Sequence, residues 1–139
     1  MDPASGGRGR RGAGVEELLC KLTGAEAGMA VNNNAGAVLL ALGALARGRK
    51  VAVSRGELVE IGGSFRMPEV VVAAGAEAVE VGTTNRVHLE DFEKALDDPE
   101  VAVVFRAHTS NFRMEGFTAE PDMNELAALC RDRGVHLVH

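Results

Sequence analysis

The sequence predicts an α/β fold in which helices cover both faces of a mostly parallel sheet, giving three layers. Two observations lead to this fold class. Apolar segments of four to eight residues alternate with helix-like segments of eight to fourteen residues, an alternation typical of βαβ units. A hydrophobic content of 46% and a charged content of 25% over 139 residues also fit a globular chain that buries a core.

The N-terminal part of the chain predicts a short tail, a helix and a first strand. Residues 1–13 are rich in glycine and arginine, and we expect them to be flexible, with the folded domain over 14–139. Apolar residues at helical spacing predict a helix over 15–22. The segment "GMAV", 28–31, is a short apolar run and predicts a buried strand.

Apolar runs and terminal signals predict the remaining elements. Residues 68–75 begin with proline and end with glycine, which favours a helix, although their three valines leave a strand open. The other predicted helices are 35–48, 88–98 and 121–134, and the other predicted strands are 50–54, 76–82, 101–108 and 135–138. Cys20 and Cys130 lie in helical patterns without metal-ligand spacing, so we expect reduced, packed thiols.

Three consecutive asparagines, Asn32 to Asn34, stand where the first predicted strand gives way to a helix. Asparagine is poor in both elements and good at caps, because its amide competes for nearby backbone groups. A helix N-terminus has unpaired N–H groups that suit an anion, usually a phosphate. Two interpretations therefore stay open: one asparagine, Asn33 or Asn34, caps the helix, or the turn as a whole binds a phosphate.

Polar clusters follow the predicted strands at their carboxyl ends, where parallel sheets bind ligands. The clusters contain mainly amide, hydroxyl, imidazole and guanidinium groups, which suit a phosphate-bearing ligand. They are Asn32 to Asn34, Ser54 to Glu57, Thr83 to Arg86, and His108 to Asn111. We expect the four clusters to form one site; the alternative is the ordinary polarity of loops.

Composition and motifs argue against several classes of protein. A net charge of −5 argues against a uniformly basic nucleic-acid surface, and the local basic group Arg8, Arg10 and Arg11 is the candidate for a nucleic-acid contact. No GxxxxGK[ST] motif indicates a nucleotide site, and no histidine pattern indicates a metal. We identify neither a signal peptide nor a transmembrane helix, and therefore expect no membrane association.

Four strings resemble the bacterial selenocysteine synthase family, L-seryl-tRNA(Sec) selenium transferase: "VNNNAGAVLLAL", "VSRGELVEIGGSFRMPEV", "VEVGTTNRVHLEDFEKAL" and "HTSNFRMEGFT". The resemblance implies part of the large domain of a fold-type I transferase that depends on pyridoxal 5′-phosphate (PLP). It also implies conversion of seryl-tRNA(Sec) with selenophosphate as selenium donor, a cytoplasmic location, and a ring-shaped homo-oligomer built from dimers.

The resemblance assigns roles to particular residues. It places the cofactor phosphate at Asn32, Asn33, Asn34, Ala35 and Gly36, where the first helix of the large domain begins. Other cofactor and substrate candidates are less specific, since each arginine could instead pair with a carboxylate and His108 could be a packed residue in a capped turn. They are His108 and Asn111 near the cofactor ring, and Arg55, Glu57, Arg86 and Arg113 on the selenophosphate side.

The chain departs from the family where catalysis is expected. The family's lysine, which binds PLP as a Schiff base, and the aspartate that pairs with its pyridine nitrogen would both follow His139. None of Lys21, Lys50 and Lys94 has the expected setting, so we predict no catalytic residue here and a fragment inactive alone. The N-terminal region associated with tRNA is also missing. Alternatives are a related PLP enzyme acting on a small amino acid or amino sugar, or a non-catalytic oligomerisation module.

Overall fold

The computed structural model describes residues 13–61, 65–110 and 112–139. Its helices are α1 (Ala13–Thr23), α2 (Asn34–Leu45), α3 (Met67–Ala73), α4 (Leu89–Ala95) and α5 (Met123–Arg133). Its strands are β1 (Lys50–Ser54), β2 (Glu60–Ile61), β3 (Phe65–Arg66), β4 (Glu77–Val81), β5 (Val101–Phe105) and β6 (His136–Val138). The chain divides into two compact units, with the boundary between Gly36 and Ala37. The predicted tail over 1–13 lies almost wholly outside the described residues.

The first unit contains α1, a segment without regular structure, and the first turn of α2. The strand predicted over 28–31 is wrong, because these residues form no ladder with any described strand. A strand requires a partner for its backbone groups, and an apolar run alone does not supply one. Met29 is 73% exposed, while the backbone at Gly28 approaches α1 so closely that a Cβ there would lie 2.9 Å from Leu19 Cβ.

The second unit is built on a four-stranded, fully parallel sheet with the order β4-β1-β5-β6. Every predicted strand after residue 50 is present, so the parallel sheet is confirmed. β1 pairs along its whole length with β4, from Lys50 opposite Glu77 to Ser54 opposite Val81. The carboxyl ends of β1, β4 and β5 therefore lie at one edge, as the βαβ pattern predicts.

Helices cover both faces of this sheet, which confirms the three-layer arrangement. Side chains of α2 and α3 pack on one face, and those of α4 and α5 pack on the other. Alternate residues of β1 pack into the two cores, because successive side chains of a strand point to opposite faces. Val51, Val53, Leu42, Val71 and Phe105 belong to one core, and Ala52, Val104, Phe92, Leu126 and Cys130 belong to the other.

An irregularity in β5 changes which residues face each core. The pairing with β1 shifts between Lys50, opposite Val101, and Val51, opposite Val103. Ala102 is the extra residue, and both Ala102 and Val103 pack in the core beneath α2 and α3. A β-bulge of this kind breaks the two-residue alternation.

Local signals explain where the helices begin and end. The ambiguous segment 68–75 is a helix, with Pro68 in the first turn, where its missing N–H costs no hydrogen bond. Asp122 caps α5 by accepting hydrogen bonds from the Asn124 and Glu125 N–H groups, and Gly134 ends α5 with a φ of 65°. Within the described ranges, no helix is long and apolar enough to cross a membrane.

The polar segment that follows β1 contains short regular elements. Residues Arg55–Glu57 form one 3-10 turn directly after β1. β2 and β3 then pair as a small antiparallel ladder, in which Arg66 Nε lies 2.8 Å from Glu60 Oε2. The 3-10 turn positions Glu57 for the site described below.

Candidate functional site

The asparagine turn of the first unit forms a capped helix N-terminus. Asn33 is the capping residue, because its Oδ1 accepts a hydrogen bond from the Gly36 N–H at 2.7 Å. Asn33 Nδ2 in turn donates to Asn32 Oδ1 at 3.1 Å. The structure thus identifies the cap that the sequence left open between two asparagines, and it gives Asn32 the role of bracing that cap.

The same turn has the properties that an anion requires. Helix geometry leaves the first N–H groups without intrahelical partners, and among the described residues those of Asn34 and Ala35 have no other partner. The first turn of α2 contains no acidic residue that would repel an anion, and Asn32 to Asn34 are exposed. A Cβ at Gly36 would lie 3.3 Å from Asn33 Oδ1, so a small residue suits this position. These features fit a phosphate group.

A cleft that is partly open to solvent lies at the carboxyl ends of β1, β4 and β5 in the second unit. Three of the four predicted polar clusters contribute to it. The lining residues from those clusters are Ser54, Gly56, Glu57, Thr83, Thr84, Asn85, Arg86 and Thr109. The structure therefore brings together residues that are far apart in sequence, as the parallel topology predicts.

The floor of the cleft contains a buried ion pair between Arg106 and Glu57. Arg106 Nε lies 2.6 Å from Glu57 Oε1, and both side chains are more than nine-tenths buried. Arg106 Nη2 also contacts Glu120 Oε2 at 3.1 Å, where the Glu120 side chain is exposed. The backbone N–H of Arg106 donates to the Val138 carbonyl at 2.9 Å, which fixes the arginine at the end of β5.

Glu57 is incompletely satisfied in this position. Its Oε2 is buried and has no hydrogen-bond partner among the described residues. Burial raises the pKa of Glu57, and this effect outweighs the hydrogen bond and charge of Arg106, which lower the pKa. The Ala107 backbone N–H also lowers the pKa of Glu57. It makes no hydrogen bond to Oε2.

Close backbone contacts shape the wall of the cleft between the turn after β1 and the loop after β4. A Cβ at Gly56 would overlap the Thr84 carbonyl oxygen. Gly82 has a φ of 69°, and a Cβ there would lie 2.8 Å from the Arg86 carbonyl oxygen. Both positions therefore require glycine.

The segment before α5 forms the opposite wall. Arg86 Nε donates to the Phe117 carbonyl at 3.3 Å, and the Val87 N–H donates to the Ala119 carbonyl at 3.0 Å. Arg113 also lines the cleft but is 85% exposed, and among the described residues it has one long ionic contact, 3.7 Å from Glu115. Among the predicted arginines of the cleft, Arg113 has the weaker protein contact and Arg86 is anchored by the backbone.

Arg55 and His108 are not among the residues that line the cleft. Arg55 Nε pairs with Glu80 Oε2 at 2.8 Å on the surface, which is the carboxylate pairing that the sequence left open. His108 is exposed, so it is not a packed imidazole. Asn111 lies outside the described residues. The ligand roles of Arg55, His108 and Asn111 stay predictions.

The structure gives none of the three lysines a place in the cleft lining. Lys50 lies 2.8 Å from both Asp98 and Glu100, and its hydrogen bonds to them raise the pKa of its ammonium. Lys21 pairs with Glu17 on α1 at 2.6 Å, and Lys94 is exposed on α4. The described residues also contain no group of three or more metal-ligating side chains.

Sequence reasoning missed Arg106, the cation at the centre of the cleft floor. Its signal was an arginine directly after the wholly apolar strand "VAVVF", where a charge must find a partner if it is buried. Its partner, Glu57, is 49 residues away, and no local pattern identifies that pairing.

Comparison with known proteins identifies the family. The SelA family model, described as L-seryl-tRNA selenium transferase, matches residues 1–139. The chain is 56% identical over all of its 139 residues to the L-seryl-tRNA(Sec) selenium transferase of Rhizobium meliloti (strain 1021). It is 58% identical over 135 residues, 97% of its length, to the enzyme of the same name from Desulfomicrobium baculatum. The chain spans only 30% and 29% of the lengths of these two relatives.

Solved structures share the fold. D-glucosaminate-6-phosphate ammonia-lyase matches 96% of the chain and 40% of its own length, with a TM-score of 0.75 at 19% identity. 3-Amino-5-hydroxybenzoic acid synthase matches 89% of the chain and 30% of its own length, with a TM-score of 0.58 at 26% identity. The predicted fold, part of the large domain of the fold-type I transferases, is thus confirmed. The family match over the whole chain agrees with the sequence resemblance, and the chain belongs to the L-seryl-tRNA selenium transferase family.

Proposed function

We propose that this chain is part of a PLP-dependent enzyme that converts seryl-tRNA(Sec) to selenocysteinyl-tRNA(Sec) with selenophosphate. The family match over residues 1–139 is the observation that carries this proposal. When bound, PLP supplies an electron sink for negative charge that develops on the carbon bearing the amino group of the substrate.

The asparagine turn is the segment that would hold the cofactor phosphate. The Asn34 and Ala35 N–H groups would donate to phosphate oxygens, and the helix dipole favours negative charge there. Asn33 and Asn32 would keep the turn in place through the cap. Capping and phosphate binding are compatible, since the cap uses the Gly36 N–H and leaves the two preceding donors available.

The cleft at the ends of β1, β4 and β5 would bind the substrate side. Arg113 is the guanidinium best placed to meet selenophosphate, because it lines the cleft and its ionic contact within the described part of the chain is a long one, 3.7 Å to Glu115. Thr84 and Thr109 offer hydroxyl donors in the same cleft, whereas the Thr83 hydroxyl donates to the Arg86 carbonyl. Arg55, His108 and Asn111 complete the set of proposed ligand contacts, and Arg86 orients the wall through the Phe117 carbonyl.

The chain alone is proposed to be inactive because none of its lysines suits covalent attachment of PLP. A lysine must lose its proton to act as a nucleophile, and the carboxylates beside Lys50 hold its ammonium in the charged form. Lys21 forms an exposed ion pair with Glu17 on α1. Family membership further supports a cytoplasmic location, a large domain over 14–139, and a ring-shaped homo-oligomer built from dimers. Arg8, Arg10 and Arg11 stay a proposed tRNA contact.

A segment exchange tests the proposal. The corresponding third of the Rhizobium meliloti enzyme is replaced by these 139 residues, since the two align over the whole chain. Incorporation of radioactive selenium into protein is measured in a strain that lacks the transferase. We expect the chimera to restore incorporation and the 139-residue chain to restore none. A folded chimera without incorporation would contradict the selenium-transfer function, and rescue by the chain alone would contradict its inactivity.

A further inference from the structure

Glu120 reaches the otherwise buried Arg106 from the solvent. Arg106 Nη2 lies 3.1 Å from Glu120 Oε2, and the exposed fractions of the two side chains are 6% and 67%. We propose that a free phosphate-type anion displaces the Glu120 carboxylate and takes its place on Arg106 Nη2. Arg106 is thereby assigned a ligand-binding role, and Glu120 competes with the ligand for the same guanidinium.

The first argument is access to the guanidinium. Both residues line the cleft, and the Glu120 side chain is two-thirds exposed, so its carboxylate approaches Arg106 Nη2 from the solvent side. An oxygen of an incoming anion can therefore use the position that Glu120 Oε2 occupies. The protein holds the guanidinium through another nitrogen, because Arg106 Nε donates to the buried Glu57 carboxylate at 2.6 Å.

The second argument is the balance of the exchange. The released Glu120 carboxylate extends into water, and the anion replaces it as the acceptor for Nη2, so the buried arginine keeps its partner. A phosphate-type anion also carries more negative charge than a carboxylate, and its oxygens accept charge-assisted hydrogen bonds from a guanidinium. The exchange therefore leaves no buried donor unpaired and strengthens the contact to Arg106.

The third argument is the charge of the cleft. Its described lining contains three arginines and two glutamates, which are Arg86, Arg106, Arg113, Glu57 and Glu120. Arg106 and Glu57 neutralise each other, so Arg86 and Arg113 make the lining positive once Glu120 is displaced. A positively charged cleft favours an anionic ligand.

The ligand class is a free anion of the phosphate type. In this respect the inference rests on the proposed function, because selenophosphate is such an ion. The phosphate group of PLP has the same chemistry, but that group is assigned to the asparagine turn. The inference therefore places Arg106 on the selenium-donor side of the cleft, together with Arg113.

Two probe ions test the site on the 139-residue chain. Thiophosphate represents the selenium donor, and pyridoxine 5′-phosphate represents the cofactor phosphate without its reactive aldehyde. Each ion is titrated while the guanidinium ¹⁵N–¹H signals of Arg106 and the carboxyl ¹³C signal of Glu120 are followed by NMR. We expect thiophosphate to shift both sets of signals saturably, and to bind more tightly at Arg106 than pyridoxine 5′-phosphate does.

A matched pair of variants isolates the competition. Glu120→Gln should tighten thiophosphate binding about two- to fivefold, because it removes the competing carboxylate. Asp97→Asn is the control with the same change in net charge. Asp97 is also an exposed carboxylate 3.1 Å from an arginine, Arg133, but neither residue lines the cleft. We expect Asp97→Asn to leave the affinity for thiophosphate unchanged.

A third variant shows whether Arg106 itself carries the effect. Arg106→Lys keeps the positive charge and removes the planar guanidinium fork. In this background, Glu120→Gln should no longer tighten thiophosphate binding, because the shared donor is gone. Should Arg106→Lys fail to fold, the comparison of Glu120→Gln with Asp97→Asn decides the question.

The outcomes are distinct from those of the segment exchange. The inference would be overturned by unmoved Arg106 and Glu120 signals, by tighter binding of pyridoxine 5′-phosphate at Arg106, or by an affinity that Glu120→Gln does not raise above that of Asp97→Asn. None of these results would affect selenium incorporation by the chimera as evidence for the transferase function. Conversely, a chimera without incorporation would leave an anion site at Arg106 intact.

Discussion

Arg106 and Glu57 connect the ends of two neighbouring strands, with Arg106 Nε 2.6 Å from Glu57 Oε1 in an almost fully buried pair. Arg106 directly follows β5, and Glu57 ends the 3-10 turn that follows β1. The pair therefore fixes the floor of the cleft to both strands. Its burial makes it a stability determinant as well as a candidate ligand contact.

Replacing only one member of this pair should destabilise the fold strongly. Arg106→Leu leaves the Glu57 carboxylate buried without its cation, and we expect a loss of about 3–5 kcal/mol in the free energy of unfolding. The double variant Arg106→Leu/Glu57→Leu should recover most of this loss, because it removes both buried charges. Urea denaturation followed by circular dichroism measures both values.

The exposed pair between Arg55 and Glu80 is the control for this experiment. Its two side chains are each 49% exposed, so Arg55→Leu should cost no more than about 1 kcal/mol. Equal losses for Arg55→Leu and Arg106→Leu would show that burial does not determine the strength of the cleft pair.

Glu57 should make the unfolding free energy depend on pH in an unusual direction. Burial raises its pKa above the ordinary value of 4.5, so between the two pKa values the folded chain retains a proton that the unfolded chain has lost. The contribution of Glu57 is thus fully present below pH 4.5 and is lost as the pH rises through the folded pKa. As the pH rises over that range, the unaltered chain should lose stability relative to Glu57→Gln.

Subtracting the unfolding free energy of Glu57→Gln from that of the unaltered chain removes the contributions of the other titratable groups. The pKa of Asp98 is lowered by its hydrogen bond to Lys50, so its contribution is lost as the pH falls. Asp98 is present in both chains, and its effect cancels in the difference. Urea unfolding at a series of pH values supplies the measurement, and a difference that is flat or of opposite slope would contradict the raised pKa of Glu57.

Sequence patterns predicted the elements whose signals are local. Pro68 and Gly75 correctly identified a helix despite three consecutive valines, because both residues act on their own backbone. The prediction of a strand over 28–31 was wrong because a strand needs a distant pairing partner, and an apolar run does not indicate whether such a partner exists. The Arg106–Glu57 pair was missed for the same reason, whereas the contribution of three polar clusters to one cleft was predicted because parallel topology alone brings strand ends together.

Removal of the Asn33 cap should destabilise α2. Asn33→Ala loses the acceptor for the Gly36 N–H, and we expect a decrease of about 1 kcal/mol in the free energy of unfolding. Asn32→Ala is the matched control, because Asn32 Oδ1 accepts from the Asn33 side chain and not from a helix N–H group among the described residues, so its loss should cost less. Thermal and urea unfolding of the two variants give the comparison, and equal losses would contradict the assignment of Asn33 as the cap.

Replacing each of two glycines with alanine should change the free energy of unfolding in opposite directions. Gly56→Ala places a Cβ against the Thr84 carbonyl oxygen, and the resulting displacement should cost about 1–3 kcal/mol. Gly43 lies inside α2, where a Cβ would be 3.8 Å from the Ala74 carbonyl oxygen, an ordinary contact. Gly43→Ala should therefore stabilise the chain by about 0.5–1 kcal/mol, through higher helix propensity. Urea denaturation of both variants checks the signs, and destabilisation by both would contradict the space seen at Gly43.

The 139-residue chain should not form a lasting covalent link to PLP. Asp98 and Glu100 each lie 2.8 Å from the Lys50 ammonium and raise its pKa, which keeps the amine protonated and unreactive. The chain is mixed with PLP, its visible absorbance is recorded, and borohydride reduction followed by mass mapping locates any modified lysine. We expect no stable band of lysine-linked PLP and only scattered labelling. The variant Asp98→Asn/Glu100→Gln is the control that frees Lys50, and it should label there more readily than the unaltered chain. A stable band that maps to one lysine of the unaltered chain would instead mean that this segment contains a catalytic amine.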